Sequence, residues 1–382
     1  MRLVSFAEWR QDIPVLSHWT YLDTAQRGLT PQAVTQAGVA QLEAWQDLDQ
    51  EKGIRELKAN VRADIARLLQ VDEDEVAFVG STGQGLNTIA GAFPWQPGDN
   101  VVLSGTEHPS NLYPWTNLRL RGVEVRLVPS EDGSLHPEDF RPYIDGRTRM
   151  VAASLVSFYP GGLLPAAQLA DVAHRHGAYL VLDVIQAIGI LPVYPGQIGA
   201  DAVAAAAYKG LMTPFGSGFM YISNQLAAKL RPEHLYIPGV VGEMGVVGGT
   251  LTDPDYRLKP GAALYEPGWN NLVGLGQMQQ SLQTILEIGV ERIAQHVRAL
   301  ARQLASGARD LGYRLDTPEG QLANIVCLRL ADAPSLVQFL GERKIKASAR
   351  RHGLRMALHG YNDQVDVDRT LEALAEYRRK RG

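Results

Sequence analysis

Residues 149–184 read RMVAASLVSFYPGGLLPAAQLADVAHRHGAYLVLDV, and how this stretch is parsed decides the fold. Two apolar, β-branched runs, RMVAASLVSF and YLVLDV, flank a segment of helical period, PAAQLADVAHRHG at 165–177. Neither run alternates polar with apolar residues, so each reads as a strand buried on both faces. Strand, helix and strand in that order predict a parallel crossover unit. The uncharged stretch 150–170 reaches membrane-spanning length, but Pro160, Gly161, Gly162 and Pro165 break it into strand, loop and helix start.

Further runs of the same kind lie on both sides: EVAFVGS, NVVLSG, EVRLVPS, ADAVAAAAY and GFMYIS. Together they predict an α/β domain with a mainly parallel sheet over residues 20–250. Residues 236–271 differ, being rich in Gly and Pro without a sustained period, and a loop of that length is usually functional or an interface. Beyond it, 272–311 is strongly helical in pattern. The strand ANIVCLRL, a helix near 335–343, the strand-like GLRMALH and a last helix over 365–379 follow. We expect a smaller α+β domain from residues 272–382, with residues 1–19 packed on it.

Composition is that of a globular protein: 382 residues, 45% hydrophobic and 20% charged, with a net charge of -4. No extended basic block points to nucleic acid or a membrane surface. The nearest candidates, Arg343 to Arg351 and Arg378 to Arg381, read as solvated faces. The single cysteine, Cys327, excludes an internal disulfide and a cysteine-based metal cluster. Glu8 and Asp12 stand where a signal peptide would need an apolar core, so a cytoplasmic location is expected.

Ligands of parallel sheets collect at the carboxyl ends of the strands. AFVGS leads into Ser81, Thr82, Gly83, Gln84 and Gly85, which is either a plain helix cap or an anion site. VVLSGTEHPSNLYPW brings Glu107, His108, Ser110 and Asn111 past another strand. His108 is there either a structural hydrogen-bonder or a ring to lie on an aromatic ligand. Asp183 ends an all-apolar strand and is followed by Gln186. It is either a helix cap or the partner of a protonated ring nitrogen. Lys209 is the only charge in AVAAAAYKGLMTPFGSGF. Its amine either snorkels to water or is held against an apolar wall so that it loses its proton easily. In chain order, an anion turn, a flat ring, an acid and a lysine are what pyridoxal phosphate requires, the lysine for a Schiff base.

The chain resembles the class V aminotransferase family of fold-type I pyridoxal phosphate enzymes, which includes cysteine desulfurases, isopenicillin-N-epimerase-like proteins and kynureninase. EHPSNLYPW, LVLDVIQAIG, YKGLMTPFGSGFMYIS and LRMALHGYN carry the resemblance. It implies that Lys209 forms the Schiff base and moves the α-proton, that Asp183 pairs with the pyridinium, and that His108 stacks on the ring. It further implies Gln186 at the phenolic oxygen, Thr82, Gly83 and Tyr208 at the phosphate, and Arg355 at the substrate carboxylate. Residues 268–271, with Trp269 and Asn270, would reach the phosphate of a second subunit, so 236–271 would lie at the interface of a homodimer with shared sites.

Against that pattern, Ala206 and Ala207 replace a Ser-Gly pair, Phe158 replaces an Asn, and Gly268-Trp269 replaces Gly-Thr. IKASARRHGLR has no cysteine where desulfurases carry their reactive thiolate, and Cys327 lies in an apparent buried strand. The resemblance thus implies an enzyme acting at the α-carbon of an amino acid, with transamination expected first. A C–S or β-lyase, or a selenocysteine-lyase- or desulfurase-like enzyme without a persulfide cysteine, is next, then an epimerase. A non-catalytic cofactor-binding or scaffold protein is the reading from another class.

Overall fold

The structure, a computed structural model, describes residues 4–48, 50–130, 133–236, 239–241, 257–268, 270–350 and 353–381. Seven strands make the larger sheet: β1 (Val76–Val79), β2 (Asn100–Ser104), β3 (Glu124–Val128), β4 (Thr148–Ser154), β5 (Tyr179–Asp183), β6 (Ala202–Ala206) and β7 (Gly218–Ile222). Their spatial order is β1-β7-β6-β5-β4-β2-β3, and β7 alone runs against the others. The strand–helix–strand reading of 149–184 is realised: α3 (Ala166–Arg175) joins β4 to its parallel neighbour β5. Four of the seven strands, β1, β2, β6 and β7, are buried at every position, and β4 and β5 at all but one. That double-sided burial is why their sequences do not alternate.

The alanine-rich β6 has a packing reason. Helix α1 (Thr82–Ala92) crosses it so closely that a Cβ on Gly85 would stand 3.1 Å from the Cβ of Ala204. Small side chains on both elements permit that approach. The helix is thereby pinned with its first residue over the end of β6, where the Ala206 N–H donates to Thr82 Oγ1 at 2.9 Å. A further helix, α2 (Pro109–Thr116), starts just past β2.

The second sheet is antiparallel: β8 (Arg314–Leu315), β9 (Ile325–Arg329), β10 (Ser348–Arg350) and β11 (Gly353–Ala357), in the order β8-β9-β11-β10. The helical pattern at 272–311 resolves into two helices, α4 (Leu272–Ile288) and α5 (Val290–Asp310). Gly289 separates them with φ of 91°, a left-handed conformation that only glycine adopts cheaply. Along α5, Val290, Ile293, Val297, Leu300 and Leu304 recur every three or four residues and are buried. Each such side chain contributes about 1.5–3 kcal/mol by leaving water. The N-terminal segment forms a separate two-stranded sheet and touches the second sheet through an isolated bridge from Asp23 to Ala357. Thr20–Tyr21 pairs in parallel with Ile345–Lys346, and the Trp9 ring meets His359 edge-on at 5.1 Å.

Within 236–271 the described parts include an antiparallel pair, Val240–Val241 with Arg257–Leu258, and a 3-10 turn at Ala262–Tyr265. Trp269 lies outside the described residues. Among the described residues no helix is long and apolar enough to cross a membrane.

Candidate active site

The carboxyl ends of β1, β2, β4, β5 and β6 open on one cavity of about 110 Å³, room for several waters rather than one. Ser81, Thr82, Gly83, His108, Asp183, Gln186, Tyr208 and Lys209 all line it, together with Ser154 and Phe158. Five stretches spread along the chain from Ser81 to Lys209 thus meet in one space.

Lys209 is 6% exposed, so its amine does not snorkel to bulk water. Burial is the main cause pulling its pKa down to about 7; Arg355 and Arg350 add to this, while Asp183 and Asp23 oppose it. The loop that carries it is held tightly from the N-terminal side. The Gly28 N–H donates to the Tyr208 carbonyl at 2.8 Å. A Cβ on Gly28 would stand 2.2 Å from the Lys209 carbonyl oxygen, so no larger residue fits there without moving the loop.

Asp183 is buried at the end of β5, and burial pushes its pKa up to about 6 against the lowering effects of the Ile185 N–H and Lys209. The Ile185 N–H donates to Oδ1 at 2.9 Å. His108 caps α2: its Nδ1 accepts from the Ser110 N–H at 3.2 Å, which leaves Nε2 as the protonated nitrogen of the neutral ring. Burial, then the positive charges of Lys209 and Arg355, keep the His108 pKa below its ordinary value. Gln186 donates through Nε2 to the Ala25 carbonyl at 3.2 Å. Burial also raises the Tyr208 pKa, so its hydroxyl stays a donor.

At the start of α1, Ser81 Oγ accepts from the Gln84 N–H at 3.1 Å and the Ser81 carbonyl from the Gly85 N–H. The helix-end N–H groups of Thr82 and Gly83 remain at the cavity wall, an arrangement that favours an anion.

Two expected site residues stand outside this lining. Arg355, fully buried in β11, does not line the cavity itself. Its Cζ lies 4.7 Å from the ring of Phe158, which does, and its Nη1 donates to the Phe158 carbonyl at 3.0 Å. Asn270 faces a separate cleft with Gly80, Gln84, Gly216 and Ser217, and its Oδ1 is buried without a hydrogen-bond partner among the described residues.

Sequence reasoning gave no role to Glu107 or Asp23. Glu107 accepts from the Ser154 N–H at 2.8 Å, the Ser154 hydroxyl at 2.5 Å and Asn111 Nδ2 at 2.7 Å. It ties the start of α2, and so His108, to the end of β4. Burial raises its pKa to about 7 although those bonds oppose the rise. Asp23, 1% exposed, accepts from the Ser348 hydroxyl and lies 3.9 Å from Arg355 Nη2. A buried carboxylate needs such partners, but a partner 325 residues away leaves no local signature.

Comparison with known proteins bears on this arrangement. The class V aminotransferase family model matches residues 20–370. The chain belongs to the class V aminotransferases. It is 30% identical over 309 residues to a probable cysteine desulfurase of Methanothermobacter thermautotrophicus, covering 77% of this chain and 74% of that one. Two solved structures share the fold. The apo cysteine desulfurase of Thermococcus onnurineus superposes with a TM-score of 0.87 at 23% identity, over 99% of this chain and 98% of that one. A cystine C–S lyase in complex with its reaction product, cysteine persulfide, gives 0.85 at 20% identity, over 95% and 99%.

Class V aminotransferases are pyridoxal phosphate enzymes, and the residues of the cavity fit that group. They supply a buried amine near neutrality, a buried carboxylate, a helix N-terminus with free donors and a neutral imidazole. The low pKa of Lys209 has a measurable consequence. Only the neutral amine can capture an aldehyde, and a lysine is neutral above its pKa. Cofactor-free protein is therefore expected to take up pyridoxal phosphate about tenfold faster at pH 8 than at pH 6, with a plateau above. Stopped-flow absorbance checks this. An uptake rate still climbing tenfold per pH unit at pH 9 would show an ordinary lysine instead.

Proposed function

We propose that this class V aminotransferase is a C–S lyase: it cleaves the bond between the β-carbon and sulfur of an α-amino acid and leaves the sulfur on the departing fragment. Its motifs serve transamination, elimination and epimerisation alike, since all three begin by removing the α-proton. Transamination, expected first from sequence, gains nothing specific from the site. The relatives' desulfurase and C–S lyase names favour sulfur chemistry.

The observation that carries the reading is the state of the only thiol. Cys327 is fully buried in β9, and burial above all pushes its pKa up to about 12. It is therefore neither a thiolate near neutrality nor reachable by a substrate sulfur. A route that stores sulfur on the protein lacks its acceptor, while elimination needs none.

Thr82 and Gly83, with the Tyr208 hydroxyl, would hold the cofactor phosphate, and Asp183 would hold the proton on the ring nitrogen. His108 would cover one face of the ring, Gln186 would meet its phenolic oxygen, and Arg355 would take the substrate α-carboxylate as a planar bidentate donor. When bound, pyridoxal phosphate withdraws electrons from the substrate α-carbon. Lys209 removes the α-proton. The bond between Cβ and sulfur then breaks with its electron pair leaving on sulfur, which takes up a proton. With one water consumed, the products are a thiol, pyruvate and ammonium; no oxidant or reductant is needed.

The homodimer expected from residues 268–271 is part of the same proposal. Asn270 Oδ1, buried without a hydrogen-bond partner among the described residues and in a cleft separate from the Lys209 cavity, supports a role toward a second subunit.

The test is to offer holoenzyme a panel of cysteine thioethers and disulfides and to quantify the products. Pyruvate is expected in equal amount with the thiol released from a thioether or the persulfide released from a disulfide. A keto acid formed only with an amino-group acceptor, and no thiol, would make transamination the activity. Replacing Cys327 with serine is expected to change turnover by less than about twofold, because the thiol takes no part. Complete loss in a folded variant would return the sulfur to the protein.

A further inference from the structure

A second guanidinium stands beside the one assigned to the substrate carboxylate. Arg350 ends β10, and the hairpin register, Arg350 with Gly353 and Ser348 with Arg355, sets it next to Arg355. The two cations share one aromatic neighbour: their Cζ atoms lie 5.5 Å and 4.7 Å from the Phe158 ring. That ring also meets His108 at 4.9 Å and lines the Lys209 cavity. From sequence, residues 343–351 read as a solvated face; Arg350 is instead half-buried.

The donors of the pair are not used up. Arg350 Nη1 donates to the Ala349 carbonyl at 2.8 Å and Nη2 to Gln26 Oε1 at 3.3 Å, while its buried Nε has no hydrogen-bond partner among the described residues. Arg355 spends Nη1 on the Phe158 carbonyl, and its Nε and Nη2 are buried without partners among the described residues. The charge does not balance either. Among the described residues Asp23 is the carboxylate within ion-pair reach, 3.9 Å from Arg355, and the Ser348 hydroxyl already donates to the same oxygen. Buried donors and charges left in this state are costly unless a ligand completes them.

One α-carboxylate accepts a bidentate pair from one guanidinium and leaves the other in surplus. We infer that Arg350 recognises a second carboxylate on the substrate, so that the preferred substrates are dianionic. Resting on the C–S lyase reading, this places that carboxylate on the departing thiol fragment. The substrate class is then an amino acid whose β-sulfur carries a short carboxylate-bearing chain. Phe158, flanked by both cations, packs against the carbon chain between the two anionic ends.

The test uses acids that have no amino group and cannot react. Calorimetric titration of holoenzyme with glutarate and with butyrate compares two carboxylates with one on chains of similar length. Wild-type protein is expected to bind glutarate at least about tenfold more tightly. Arg350→Gln should bring that ratio near one while changing the butyrate Kd by less than about twofold, and Arg350→Lys should keep part of the preference. Equal affinity for the two acids in the wild type overturns the inference, whether or not the variants fold. So does a ratio that survives in folded Arg350→Gln. The lyase reading stands or falls separately, on release of pyruvate with thiol. A retained glutarate preference without that release would leave Arg350 reading a dianionic substrate for another reaction.

Discussion

Lys209→Ala is expected to lower turnover by about four orders of magnitude or more while the protein stays folded. The loss combines two roles in one amine: holding the cofactor covalently, and moving the proton at the substrate α-carbon. Proton transfer by a positioned side chain alone contributes typically 10²–10⁴-fold. The fold survives because the amine is a burden on it. Lys209 is 6% exposed, and its charged form is disfavoured there chiefly by burial. Removing the amine relieves that desolvation, and the loop remains fixed by the bonds from Gly28 to Tyr208 and from Met212 to the Lys209 carbonyl. Circular dichroism should be unchanged, and pyridoxal phosphate should wash out on gel filtration. Turnover within tenfold of wild type in a folded variant would remove Lys209 from the chemistry.

Asp183→Asn is expected to cost about 10²–10³-fold in turnover, the size of effect seen when one preorganised electrostatic partner is lost. The substitution preserves shape, and the asparagine oxygen still accepts from the Ile185 N–H, so the melting temperature should move little. What disappears is a negative charge in a buried place. That loss has a second readout, independent of turnover. Asp183 is the largest influence holding the Lys209 pKa up against burial. Without it the Lys209 amine is neutral at lower pH, so the midpoint of the pH profile for cofactor capture should shift downward. A variant with full activity and an unmoved midpoint would show that the carboxylate faces neither the ring nitrogen nor the lysine.

The parts of the molecule that could be read from sequence are those fixed by local or periodic chemistry. Uninterrupted apolar runs gave the buried strands, and helical period between them gave the crossovers. The polar residues of the cavity sit immediately after strands, where α/β sheets collect ligands, so Thr82, His108, Asp183 and Lys209 could be found one strand end at a time. The features that escaped depend on distant parts of the chain. Arg350 lies in a basic-looking run whose exposure is decided only when the β10–β11 hairpin folds it against Phe158. Asp23 acquires its role from Ser348 and Arg355. The break between α4 and α5 turns on Gly289 alone, in a segment whose period runs through it. The alanine run before Lys209 is explained by the close crossing of α1, which no feature of the run itself announces.

The most direct measurement is to incubate the protein with pyridoxal phosphate, reduce it with borohydride and map the product by peptide mass spectrometry. A single pyridoxyl group on the peptide containing Lys209, with loss of the yellow absorbance, is the expected result. A pyridoxyl group on another lysine, or no label on protein that binds the cofactor, would contradict the account.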